Sequence, residues 1–148
     1  MLIFTDRFQA NATMEAVASF HSSTLALKRL SPPPIIVQFN NVEPLAEGSL
    51  SDFTLWFGPL PLRWLAMHSQ VDPHSGFVDT QVRGPMAAWR HQHSWRALPD
   101  GGVELSERVE YAHKAGWAGL LTRILFARPM LAFLFGYRRW AIRRGCEK

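Results

Sequence analysis

The sequence predicts an α+β fold, with helices gathered on one face of a curved antiparallel sheet. Two observations predict it. Seven segments alternate with period two or are rich in β-branched and aromatic residues, and short turns join most of them. The chain then closes on one long segment with helical periodicity, Trp117 to Arg144.

The elements follow in order. Met1 to Ala10 sets Leu2, Phe4, Asp6 and Phe8 against Ile3, Thr5, Arg7 and Gln9, a strand. Asn11 and Thr13 are both N-cap candidates for a short amphipathic helix carrying Met14, Val17, Ala18 and His21 on one face. A second short helix over Thr24 to Leu30 is stopped by Pro32-Pro33-Pro34, since proline lacks the N–H and clashes with the preceding turn. Strands are expected at Ile35–Asn41, Leu50–Phe57, Leu62–Val71, Gly76–Arg83, Ala88–Leu98 and Val103–Tyr111. Turn chemistry separates the later ones: Asp72-Pro73-His74-Ser75-Gly76, Gly84-Pro85 and Pro99-Asp100-Gly101-Gly102. Short turns between successive strands imply an antiparallel meander. In the last segment Trp117, Leu120, Leu121, Ile124 and Leu125 form an apolar face expected to pack on the sheet, and Pro129 should kink or split the helix near Phe126 to Arg128.

The 148 residues suit one domain, 1–148, and 47% apolar residues suffice for a core. One cysteine, Cys146, excludes an intramolecular disulfide and fits a reducing, cytoplasmic setting. The N-terminus reads as no signal peptide. Net charge is +4, and the excess is concentrated at the end of the chain: Arg123, Arg128, Arg138, Arg139, Arg143, Arg144 and Lys148 against Glu147 alone. With no nucleic-acid motif beside it, this is read as a solvated helix end, and no nucleic-acid partner is expected. Weak association with a membrane surface is the other use of such an end. The apolar stretch Ile124 to Tyr137 has about 14 residues against the roughly 20 needed to span a bilayer, so insertion is not expected.

The segment Trp89-Arg90-His91-Gln92-His93-Ser94-Trp95 carries the most chemistry. As a strand it puts Trp89, His91, His93 and Trp95 on one face and Arg90, Gln92 and Ser94 on the other, so the first face should point inward. The next strand puts Glu107 in a row with Val103, Leu105, Val109 and Tyr111. A hairpin would set Glu107 beside the histidines, and it is the best inward partner for His91 or His93. His68 shares a face with Trp64 and Ala66 and is a further polar candidate for the interior. Patterning alone turns Val78, Thr80 and Val82 inward and leaves the side of Phe77, Asp79 and Gln81 open.

The chain has no GxSxG, GxxxxGK, HExxH or CxxC pattern. Two histidines two apart on a strand, about 7 Å apart with parallel rings, make a weak start to a chelate, so neither a metal nor another cofactor is expected. His21, His74 and His113 receive no role from the sequence.

The order of elements, the segments Gly58–His68 and Phe77–Trp95 and the ending Leu134–Arg138 resemble the START-like, or SRPBCC, superfamily, in particular its small bacterial polyketide cyclase/dehydrase-like members. The resemblance spans nearly the whole chain. It implies a helix-grip fold, with a curved antiparallel sheet wrapped round a long C-terminal helix and an apolar cavity between them. It does not imply one activity. The expected role is binding a small hydrophobic or amphipathic molecule. His91, His93 and Glu107 would orient its polar end, with His68, Phe77, Asp79, Gln81, Trp89, Trp95 and Tyr111 as further contacts. A cyclase or dehydratase using His91, His93 and Glu107 as acid and base is the enzymatic alternative. An interaction or membrane-surface module acting through the basic end is the other.

Overall fold

The computed structural model describes residues 1–147. Lys148, counted above with the basic end, lies outside the described residues. The elements run β1 (Leu2–Ala10), α1 (Met14–Ser22), α2 (Ala26–Arg29), β2 (Ile36–Val42), β3 (Leu50–Phe57), β4 (Leu60–Asp72), β5 (Gly76–Arg83), β6 (Ala88–Ala97), β7 (Val103–Ala112), α3 (Trp117–Leu125) and α4 (Arg128–Cys146). All seven strands form one antiparallel sheet in the order β1-β7-β6-β5-β4-β3-β2. Strands β2 to β7 are the expected meander, and β1 joins the edge of β7. This is the expected helix-grip arrangement, one antiparallel sheet with a long C-terminal helix across it.

Local chemistry accounts for the boundaries. Thr13, rather than Asn11, caps α1: its Oγ1 accepts from Ala16 N at 3.1 Å. Asn11 N instead donates to the Glu147 carboxylate at 2.7 Å, tying the start of the chain to its end. The C-terminal segment splits as Pro129 requires, into α3 and α4 bent by 47° about a break at Phe126–Ala127, with proline at the start of α4. No single helix among the described residues is long and apolar enough to cross a membrane.

One glycine holds the centre of the sheet together. Gly76, at φ +129°, lies so close to β6 that a Cβ there would stand 1.9 Å from the His93 carbonyl oxygen. This close approach lets Phe77 stack on the His93 ring, with centroids 4.2 Å apart.

Two expectations need correcting. The apolar face of α3 packs only in part: Leu121 and Leu125 lie against the core, while Trp117 is 88% exposed and Ile124 63%. What holds α3 is Gly119, too close to the Lys114 carbonyl for any side chain, and buried Thr122, hydrogen-bonded to His113 Nδ1. On β5, the row Phe77–Asp79 faces the interior and Val82 is exposed, so the valine row is not the core row. Val78 is nonetheless buried on the opposite side.

The core consists of two apolar clusters. One contains Phe8, Val17, Phe20, Trp95, Leu105 and Ile142. The other contains Phe4, Phe53, Trp64, Trp89, Val109 and Phe135. Along each inward row, polar residues separate them: Asp6 between Phe4 and Phe8, Glu107 between Leu105 and Val109, His91 and His93 between Trp89 and Trp95.

Candidate functional site: a cavity ending on a buried polar belt

Those separating residues lie side by side because the strands are in register. His93 pairs with Glu107, Glu107 with Asp6, His91 with Asp79, and Asp79 with His68. The result is a polar belt across five strands. Helix α4 crosses it with Arg138 and Arg139.

The belt is closely bonded. His91 Nε2–H donates to Glu107 Oε2 at 2.7 Å, and His93 Nε2–H donates to Asp79 Oδ2 at 2.7 Å. His93 Nδ1 lies 3.1 Å from Glu107 Oε2, near enough for ionic attraction but out of line for a hydrogen bond. The two imidazoles are 3.8 Å apart at their centroids. Arg139 pairs with Asp6. The Arg138 Nε donates to the Leu30 carbonyl at 3.3 Å, and its guanidinium lies 5.2 Å from the Phe135 ring centre.

Burial and charge pull the titrating groups apart. Burial alone would lower His93, but the Glu107 and Asp79 carboxylates outweigh it and hold His93 at about 9. His91 is lowered by burial and by the charge on His93. Burial raises Glu107 and Asp79, yet the imidazoles outweigh it: Glu107 sits well below the ordinary carboxylate value, and Asp79 is lowered too. Burial lowers Arg138, which Glu107 and Asp79 partly offset. At neutral pH the belt thus sets the Asp79 and Glu107 carboxylates against protonated His93, with Arg138 and the Arg139–Asp6 pair beside them. Such balance is what a buried charge cluster requires.

A cavity of about 390 Å³ opens on one side of the belt, between the sheet and the helices. Phe39, Phe53, Trp64 and Trp89 line it from the sheet, and Phe126, Met130 and Leu134 from the helices. His68, Asp79, His91, His93 and Arg138 make its polar end. The wall is thus mostly apolar with a few convergent polar groups, the usual make-up of a small-molecule site.

The sequence candidates divide accordingly. His68, Phe77, Asp79, Trp89, His91 and His93 line the cavity. Four others do not. Gln81 clamps a loop, accepting from Met86 N at 3.0 Å and donating to Met86 O at 2.9 Å. Trp95 lies beyond the belt and donates from Nε1 to the Pro73 carbonyl. Tyr111 packs beside Trp89 in the core, with centroids 6.0 Å apart. Glu107 lies behind His91 and His93, so it acts through them rather than at the wall.

Two cavity residues received no such role from the sequence. His21 reaches in from the last turn of α1, its ring 4.8 Å from that of Trp95 and 6.1 Å from that of His93. Its place beside Val17 on the apolar face of the helix is the signal for its burial. Arg138 was counted with the basic end, but only its place on the fold sends it inward. At the same end Arg139 is held by Asp6 and Arg143 bonds the Gln9 carbonyl, while Arg123 and Arg144 are exposed.

No family model and no curated protein sequence matches the chain. Solved structures do. A START superfamily protein from Mycobacterium smegmatis aligns with a TM-score of 0.68 at 11% identity, over 96% of this chain and 94% of that one. An aromatase/cyclase, Zhui, from Streptomyces aligns at 0.68 and 15%, over 97% and 94%. A nucleoside-diphosphate sugar epimerase from Corynebacterium glutamicum aligns at 0.71 and 26%, over 95% of this chain but only 28% of that one. This chain therefore spans little more than a quarter of the epimerase's length.

Proposed function

We propose that the chain binds a small hydrophobic or amphipathic molecule, its apolar body among Phe53, Trp64 and Trp89 and its polar end against His68, Asp79, His91 and Arg138. The observation that carries this reading is the cavity itself: about 390 Å³, apolar along its length, closed at one end by a charge-balanced polar belt. That volume is within the usual range for small-molecule sites.

A titration with the fluorophore 8-anilinonaphthalene-1-sulfonate tests it. The wild type takes up the dye with enhanced, blue-shifted emission. Ala66→Phe places a ring in the cavity from a buried position between Trp64 and His68, and uptake falls at least tenfold while the circular dichroism spectrum is kept. Equal uptake by both proteins would contradict the reading. The same dye-binding protein, presented with polyketide-like substrates, tests the acid–base alternative: turnover abolished by His91→Gln would favour it.

A second reading rests on the Corynebacterium protein, which holds its matching segment within a much longer chain titled an epimerase. On that reading this chain works together with an enzyme of that class. Co-purification of the two from their native host supports it, and independent elution counts against it.

A further inference from the structure

On the side of the His93 ring away from Asp79, three buried side chains meet: His21, His93 and Glu107. One donor atom from each lies within 4.8 Å of the others. We propose that these three bind a divalent transition-metal ion such as Zn²⁺.

The donor atoms can be assigned. His21 Nδ1–H is committed to the Val17 carbonyl at 2.8 Å, which leaves its Nε2 lone pair free. His93 Nδ1 is buried with no hydrogen-bond partner. It lies 3.1 Å from Glu107 Oε2. Two ligands each about 2.1 Å from one zinc ion stand about that far apart when their angle at the metal is near 95°.

Each ligand is also held from behind. The Val17 carbonyl orients His21, Asp79 accepts from His93 Nε2–H, and His91 donates to Glu107. Metal-binding histidines usually have such partners, which set the tautomer and the ring orientation. A proton on His93 Nδ1 occupies the place when no metal is present, and the ion displaces it on binding. His21 and His93 both line the cavity, so an open coordination position would face the space where the polar end of a ligand lies. Sequence spacing gives no sign of the site, because its three residues come from a helix and two different strands.

The test uses the full untagged chain, stripped with dipicolinate and titrated with Zn²⁺ by calorimetry and with Co²⁺ by visible absorption. One ion per chain is expected, with proton release and cobalt ligand-field bands. His21→Gln, which keeps the size of the side chain, is expected to lower affinity at least a hundredfold with its circular dichroism spectrum unchanged. Asp79→Asn is expected to lower it roughly 10- to 100-fold, as loss of an outer partner does. His74→Gln, in a turn away from the site, is expected to leave it unchanged. Failure of the folded wild type to bind either metal overturns the proposal. So does binding that survives His21→Gln but is lost in Asp79→Asn, which would place the ion among Asp79, His91 and His93 instead.

Discussion

The two apolar compartments on either side of the belt differ in how they are filled. Around Phe8, Phe20, Leu105 and Ile142, side chains from α1, α4 and the sheet interdigitate, and Val17 and Leu105 are almost wholly buried. Around Phe53, Trp64 and Trp89 the sheet curves away from the helices, and about 390 Å³ stays open. In the closed compartment α4 lies on β1 and packs against α1. Over the open one lie the α3–α4 bend and the proline run after α2. The break at Phe126–Ala127 thus lies over the open compartment, and Leu30 and Phe77 of the filled one border the cavity's polar end.

Breaking the belt should have the largest effect. Glu107→Ala leaves protonated His93 and its neighbours short of one buried negative charge. It should cost about 3–5 kcal/mol, the usual loss when one partner of a buried ion pair is removed, read by urea denaturation. The compartments should then separate under equal truncations. Phe20→Ala, in the filled half, should cost about 3–5 kcal/mol because a new void opens. Phe53→Ala enlarges a space already present, so it should cost less stability and change dye affinity more. Similar losses from both would remove the distinction between the halves.

The pH dependence of the metal-free protein sharpens the belt's role. His93 is raised from 6.5 to about 9, so its stabilisation is complete below 6.5 and is lost as pH rises through 9. His21 is lowered from 6.5 to about 4, so stability also falls as pH drops through that interval, where the unfolded chain takes up the proton first. Asp79 and Glu107, both lowered, add a further loss in acid. Stability should therefore peak near pH 6.5, and His93→Gln should remove the decline between 6.5 and 9, leaving the loss above 9 that the raised Cys146 thiol brings. Smaller still, Thr13→Ala should cost about 1 kcal/mol, the usual value of an N-cap. Trp117→Ser should change stability by less than about 0.5 kcal/mol, since the indole is 88% exposed.

Much of this was legible in the residues. Period-two alternation and β-branched or aromatic content locate the strands, and alternation puts His91, His93 and Glu107 on inward rows, because side-chain direction within a strand is a local property. Pro129 marks the bend for the same kind of reason. What escaped depends on how elements sit against one another. Helix α3 has an apolar face by its own spacing, but only tertiary packing decides that Thr122 goes inward and Trp117 outward. Arg138 reads as one of several terminal cations until α4 is laid across the belt. The rows of β5 mix polar and apolar residues on both sides, so alternation could not orient Asp79, and its pairing with His91 does.

The open compartment is either a binding site or a packing defect. Native mass spectrometry of the chain purified from cells, followed by solvent extraction and identification of what is released, tests this most directly. The expected result is one small molecule per chain, apolar along its body and polar at one end, that Ala66→Phe fails to retain. Equal retention by Ala66→Phe, or a wild type that stays empty and also takes up no apolar probe, would contradict it.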